Sequence, residues 1–148
     1  MNDSIHKLID WKEFSKQPLS EHQIECYSEY VDWRLISIYQ TLSESFIEQH
    51  HSQINWVWIS QYQTLSEPFI ERHQDQVNWC LISIYQKLSE SFIVRHQNLV
   101  NWDWISRNQT LSEPFIERHR DQVDWPWILK HQNLSENFKQ KYHLTTAQ

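Results

Sequence analysis

Residues 65–87 read LSEPFIERHQDQVNWCLISIYQK, one complete copy of a pattern that fills most of the 148-residue chain. The opening Leu-Ser-Glu segment recurs every 23 residues, at Leu19, Leu42, Leu65, Leu88, Leu111 and Leu134. An internal period of this length is typical of solenoid proteins, in which each repeat buries its apolar face only by stacking on its neighbours. We therefore expect a single repeat domain over 1–148, with an N-terminal cap (1–18), five repeats (19–133) and a C-terminal half-repeat with a tail (134–148).

Each repeat contains two predicted helix starts. Ser66 and Asn78 are good N-caps, because their side-chain oxygens can accept an orphan backbone N–H of the first turn. Pro68, Pro114 and Pro126 each stand two residues after a predicted cap, in the first turn, where proline is tolerated. Two starts in 23 residues leave about eight or nine residues for each helix and about two to four for each turn. The sequence thus predicts an all-α solenoid, right- or left-handed, of about 11–12 short helices.

The N-terminal cap carries two further predicted helix starts. Ser4 can cap a first helix, and Asp10 can cap a second. Asp10 and Glu13 have the spacing of a capping box, in which two side chains satisfy each other's backbone N–H groups.

The composition argues against most nucleotide-using enzymes. The chain has no glycine, so it lacks the glycine-rich loops that hold phosphates and the glycine-flanked turn that presents a catalytic serine. A formal net charge of −6 disfavours binding to a nucleic-acid backbone. No signal peptide and no 18-residue apolar run is found, so we expect a cytoplasmic protein that does not bind membranes. We expect no catalysis, no cofactor and no metal, and we expect Cys26 and Cys80 to be free thiols.

Histidine and tryptophan recur at fixed positions of the repeat. The histidines are His50, His73, His96 and His119, and the tryptophans are Trp11, Trp33, Trp56, Trp79, Trp102 and Trp125, with Trp58, Trp104 and Trp127 two positions later. Stacked helices lie roughly 8–10 Å apart, which is too far for one zinc ion to bind imidazoles from two repeats at about 2.0–2.1 Å. We therefore predict a structural role for the histidines, at a partly buried, hydrogen-bonding aromatic position, and we predict that the tryptophans pack between repeats. An aromatic groove for bases is the alternative, but its neighbours here are polar rather than basic.

Glutamine and serine form two more repeating sets: Gln40, Gln63, Gln86, Gln109 and Gln132, and Ser37, Ser60, Ser83 and Ser106. Without glycine, helix ends lack their commonest C-cap. We expect the glutamine amides to satisfy orphan helix carbonyls or to bond to the next repeat.

Positions that differ between repeats are the candidate partner surface, because recurrence marks what each repeat needs for stacking. They are Arg72, Arg95, Arg118, Gln74, Gln97, Arg120, Ile38, Gln61, Ile84, Arg107 and Lys130. The three arginines would form a basic line, which the simplest interpretation pairs with local glutamates. Repeats also match at a distance of 46 residues, since LISIYQ at 35–40 returns at 81–86. A duplicated two-repeat block explains this, and a functional alternation of surfaces stays open.

The sequence from Phe69 to His73, followed by Val77-Asn78-Trp79 and by Ile82-Ser83, resembles tandem-repeat proteins of giant viruses and some phages. The resemblance covers about residues 19–138. It implies an intracellular viral protein acting in an infected cell, and it carries over no catalytic residue.

Together these observations predict a non-enzymatic repeat protein that offers a protein-protein interaction or assembly surface. The resemblance to viral repeat proteins implies a more specific form of this function, in which the protein interacts with a component of the host cell. One alternative is an acidic decoy or a sponge for a small ligand or nucleotide. Another is a structural protein that self-assembles by end-to-end stacking.

Overall fold

A computed structural model describes residues 8–143, and within that range the chain forms twelve α-helices and no strand. The predicted helix start at Ser4 and the tail residues 144–148 lie outside the described residues. Contacts divide the chain between Val77 and Asn78 into two compact halves, which we describe separately. Each half is an α-helical repeat structure, as the sequence predicts.

Helices that begin with tryptophan alternate with helices that begin with glutamate, and we call them Trp helices and Glu helices. In the N-terminal half they are α1 (Trp11–Lys16), α2 (Glu21–Cys26), α3 (Trp33–Tyr39), α4 (Glu44–Gln49), α5 (Trp56–Tyr62) and α6 (Glu67–Arg72). In the C-terminal half they are α7 (Trp79–Tyr85), α8 (Glu90–Arg95), α9 (Trp102–Asn108), α10 (Glu113–Arg118), α11 (Trp125–His131) and α12 (Glu136–Lys141).

The predicted caps are confirmed. The Ser66 hydroxyl accepts the Phe69 N–H, the Asn78 side chain accepts the Leu81 N–H, and all three prolines lie in first turns. The predicted capping box at Asp10 is only half formed, because Glu13 pairs with Lys16 at 2.6 Å instead. A complete box lies one helix later, between Ser20 and Gln23.

The predicted helix lengths are wrong, since the Glu helices have 6 residues and α3, α5, α7, α9 and α11 have 7. At the end of α4 the backbone of His50 leaves the helical region, at φ −105° and ψ 21°. Its carbonyl then accepts two N–H groups, from Gln53 at 2.8 Å and Ile54 at 3.1 Å. This separate turn makes the connection over 50–55 longer than predicted and returns Ile54 to the core.

The core of each half is built from the same isoleucine and phenylalanine positions of successive repeats. In the N-terminal half, Ile36 and Ile59 of the Trp helices and Ile47 and Ile70 of the Glu helices have no exposed surface. Burial of one such side chain contributes about 1.5–3 kcal/mol. Neighbouring Trp helices pack on each other: α1 on α3 and α3 on α5 in the first half, and α7 on α9 and α9 on α11 in the second.

The recurring glutamines follow the Trp helices α3, α5, α7, α9 and α11, and we call each of them a glutamine clamp; all are buried except Gln132, which is half-buried. The Gln63 side chain donates to the carbonyls of Ser37 at 3.2 Å and Gln40 at 2.7 Å, and its own oxygen accepts the Leu42 N–H at 2.9 Å. Gln40, Gln109 and Gln132 make the same three kinds of bond. The expected capping of orphan carbonyls is thus confirmed, and the carbonyls belong to the preceding repeat rather than the next one.

The recurring serines tie the other end of neighbouring Trp helices. The Ser37 hydroxyl donates to the Trp33 carbonyl, four residues back in its own helix, at 2.7 Å. The same oxygen accepts the N–H of Asn55, the N-cap of α5, at 3.1 Å. Ser83 and Ser106 do the same for Asn101 and Asp124 in the C-terminal half. A short Trp helix is therefore fixed to its neighbour at both ends.

Replacing a clamp glutamine by the similarly sized leucine tests this arrangement. Gln63→Leu removes three hydrogen bonds worth about 1 kcal/mol each, so we expect a loss of about 3 kcal/mol in the free energy of unfolding. The measurement is urea unfolding followed by circular dichroism. Gln49→Leu, at an exposed position of α4, is the control and should cost under about 0.5 kcal/mol. Equal losses in the two variants would show that the clamp adds nothing specific.

Candidate interaction surface

The recurring tryptophans and histidines pack against each other across repeats. The ring centroids of Trp33 and His50 are 4.8 Å apart, and those of Trp56 and His73 are 4.9 Å apart. The indole N–H groups also donate to backbone carbonyls five residues earlier, as Trp33 does to Ser28 at 3.0 Å. The predicted packing between repeats is confirmed for the tryptophans. The predicted hydrogen-bonding role is confirmed for His50 and His119, whose Nδ1 atoms lie 2.8 Å from the side-chain oxygens of Gln53 and Gln122. In the described part of the chain no group of three or more His, Cys, Asp or Glu residues could hold a metal ion.

A second set of contacts links Glu helices through a carboxylate, and we call it the carboxylate rung. Glu25 lies 2.7 Å from the His50 Nε2 atom in the next repeat. The two oxygens of Glu48 lie 3.9 Å from Arg72 Nη1 and 3.9 Å from His73 Nε2. The first glutamate of α2, α4, α8 and α10 adds a neighbouring contact, as when the Glu44 carboxylate accepts the Ser66 N–H at 2.6 Å. Sequence reasoning missed this contact.

The last carboxylate rung is formed by Glu117 with Lys141 and Tyr142 at the end of α12. Hydrogen bonds from Lys141 and then Tyr142 lower the pKa of Glu117 below its ordinary value of 4.5. The bond to Glu117 raises the pKa of Lys141 above 10.5. Both groups are exposed, so solvent screens the pair and its contribution is modest.

These two shifts predict how stability changes with pH. Because the pKa of Glu117 is lowered, the ionised carboxylate stabilises the fold above about pH 4.5, and this stabilisation is lost as the pH falls through the pKa of Glu117 in the folded protein. Because the pKa of Lys141 is raised, the charged lysine stabilises the fold below about pH 10.5, and this stabilisation is lost as the pH rises through the pKa of Lys141 in the folded protein. We therefore expect Glu117→Gln to lower the melting temperature slightly at neutral pH and to match the unsubstituted protein at both extremes. Thermal melts from about pH 3 to about pH 11 measure this.

Glu29→Gln is the matched control, because Glu29 is an exposed carboxylate in a turn of the N-terminal half. Its melting temperature should follow that of the unsubstituted protein at every pH. If Glu117→Gln lowered the melting temperature by the same amount at every pH, the result would contradict the ion pair between Glu117 and Lys141.

Six of the predicted surface residues lie at the ends of Glu helices. Arg72, Arg95 and Arg118 are the last residues of α6, α8 and α10, and Gln74, Gln97 and Arg120 lie in the turns that follow; all six are exposed. The expected pairing with local glutamate is confirmed for Arg72, which contacts Glu48. Arg120 lies 3.8 Å from its neighbour Asp121. The predicted line of arginines is divided between the two halves, and Arg95 and Arg118 together border one groove in the second half.

The other five predicted residues lie on Trp helices. Arg107 and Lys130 are exposed, whereas Ile38, Gln61 and Ile84 are half-buried. Sequence reasoning missed the tyrosines that directly follow three of them: Tyr39, Tyr62 and Tyr85 have 56%, 50% and 53% of their surface exposed. The period gives only a partial signal for them, because Tyr occupies this position in three of the five repeats, whereas Gln occupies the next position in all five.

Cations and aromatic rings meet on the outer side of these Trp helices. In the N-terminal half, the Arg34 guanidinium lies 5.7 Å from the Trp58 ring centroid, and Trp58 contacts Tyr62 at 5.9 Å. In the C-terminal half, Arg107 lies between two indoles, 5.4 Å from Trp104 and 4.5 Å from Trp127. Lys130 approaches the Trp127 ring at 5.4 Å. We call these residues, with the exposed tyrosines, the outer Trp surface.

Comparison with protein-family models, curated proteins and solved structures finds no match to this chain. Among the residues that the structure describes, no helix is both long enough and apolar enough to cross a membrane.

Proposed function

We propose that this protein is a non-enzymatic repeat protein that binds another protein through the outer Trp surface. The observation that carries this proposal is the exposure of Tyr39, Tyr62 and Tyr85, each about half accessible although the preceding turn of its helix is buried in the core. Tyr, Trp and Arg are the side chains most enriched at the energetic centres of protein interfaces. In the N-terminal half Arg34, Trp58 and Tyr62 lie side by side, and in the C-terminal half Arg107 lies against two indoles while Tyr85 is exposed on α7.

The physical basis is that these rings are already held in place. Trp58 and Trp127 are half-buried, and Trp58 also contacts Arg34. A side chain that is ordered before binding loses less conformational entropy when a partner arrives. Several such anchors along adjacent helices would supply binding energy without any enclosed pocket. The resemblance to viral repeat proteins supports the sharper form of this proposal, a protein that acts on a component of a host cell.

The test is affinity capture with purified protein from a lysate of its native cells, with nuclease added. Tyr62→Ala combined with Arg107→Ala removes one anchor from each half, and each hot-spot truncation typically weakens binding about tenfold or more. We expect one stoichiometric protein partner with the unsubstituted chain and its loss with the double variant. Gln49→Ala with Gln140→Ala, at exposed Glu-helix positions, should retain the partner.

Three outcomes would overturn the proposal. Retained nucleotide absorbance, or only a basic partner released at about 0.5 M salt, would indicate the decoy or sponge alternative. A clean protein whose mass rises with concentration would indicate self-assembly. Retention of the partner by the Tyr62→Ala, Arg107→Ala variant, to the same extent as by the control variant, would place the binding surface elsewhere.

A further inference from the structure

The carboxylate rung follows a rule that can be checked along the chain. A glutamate at the fifth position of a Glu helix reaches the residues 24 and 25 positions later, as Glu48 reaches Arg72 and His73. Glu117 does the same with Lys141 and Tyr142. A carboxylate is therefore the chemical group that fits between the end of a Glu helix and the preceding repeat.

Val94 breaks this rule in the C-terminal half. It occupies the fifth position of α8, and the residues 24 and 25 positions later are Arg118 and His119. Over residues 8–143, Arg118 makes no ion pair. The buried Nε2 atoms of His119 and His73 both lack a hydrogen-bond partner, but the Glu48 carboxylate lies 3.9 Å from His73, whereas no carboxylate pairs with His119 in this part of the chain. The other His119 nitrogen is bound to Gln122 at 2.8 Å, which holds the ring in the same place as in other repeats. A basic pair is therefore present without its acid.

Arg118, the residue before His119, lines a groove of about 430 Å³ between α8 and α10. Its apolar lining includes Val94, which is 37% exposed, with Pro114 and Phe115. Arg95 and Arg118 supply positive charge along it. One acid, Glu90, lies one turn before Val94, and its carboxylate already accepts the Ser112 N–H at 2.6 Å.

We infer that this groove binds a glutamate or aspartate side chain of a protein segment, with its carboxylate in the place that Glu48 takes in the N-terminal half. Arg118 and His119 are the groups that would receive the carboxylate. Val94, Pro114 and Phe115 would contact the apolar residues beside the acid, which favours a peptide over a free small acid. The inference extends the proposed protein-binding function to a second surface, and only its choice of a protein occupant rests on that function.

The experiment titrates the full chain, followed by NMR of the arginine and histidine side chains. The probes are the capped tripeptide Ac-Leu-Glu-Leu-NH2, its neutral partner Ac-Leu-Gln-Leu-NH2, and sodium acetate. We expect saturable shifts at Arg118 and His119 with the glutamate peptide, and binding weaker by about tenfold with the other two probes. Arg72 and His73 should not respond, because Glu48 already occupies their site.

Two variants make the test decisive. Val94→Glu supplies the missing carboxylate from within the chain and should abolish the shifts. Glu48→Val empties the equivalent place in the N-terminal half and should create a second responsive pair at Arg72 and His73. Equal binding of the glutamine peptide, equal binding of acetate, or an unchanged response in Val94→Glu would each overturn the inference. The titration needs no natural partner, so its result is independent of the capture experiment on the outer Trp surface.

Discussion

The structure depends on satisfying the backbone groups at the ends of very short helices. A helix of 6 or 7 residues leaves most of its N–H and C=O groups without an internal partner, because four at each end are orphaned in any helix. Such helices are also too short to be stable alone in water. Side chains from the neighbouring repeat solve both problems in this chain. The glutamine clamp, the serine hydroxyl and the first glutamate of a Glu helix such as α4 each bond to backbone groups of an adjacent repeat.

The glutamine clamp also explains how a chain without glycine can end so many helices. A C-terminal glycine usually serves by adopting a left-handed conformation, and among residues 8–143 only His143 has a positive φ, of 53°. Gln40 and Gln63 instead turn the backbone to the extended region, at ψ of 150° in both cases. Their side chains then close the preceding helix end, so that a single residue ends its own helix and caps its neighbour's.

Much of this fold could be predicted from the sequence because its signals are local. Ser66, Asn78 and the first-turn prolines identify helix starts within a few residues, and the period supplies the stacking. Helix lengths were wrong because the turn at His50 carries no glycine or proline, and it is held by backbone bonds together with a hydrogen bond of 2.8 Å between the His50 and Gln53 side chains. The candidate surface was only partly anticipated. Exposure of Tyr62 and the interrupted rung at Val94 depend on what the neighbouring repeat places beside them, and no pattern within one repeat contains that information.

The short reach of the bonds between repeats has a consequence for how the chain folds. The bonds made by the clamps, serines and glutamates span only 17 to 26 residues of sequence. Chains dominated by contacts of low sequence separation form them at a small cost in loop-closure entropy, and they fold quickly. Each half can therefore begin to fold at any pair of adjacent repeats and grow by adding one repeat at a time. During synthesis on a ribosome, a newly exposed repeat would find its bonding partner already folded immediately before it.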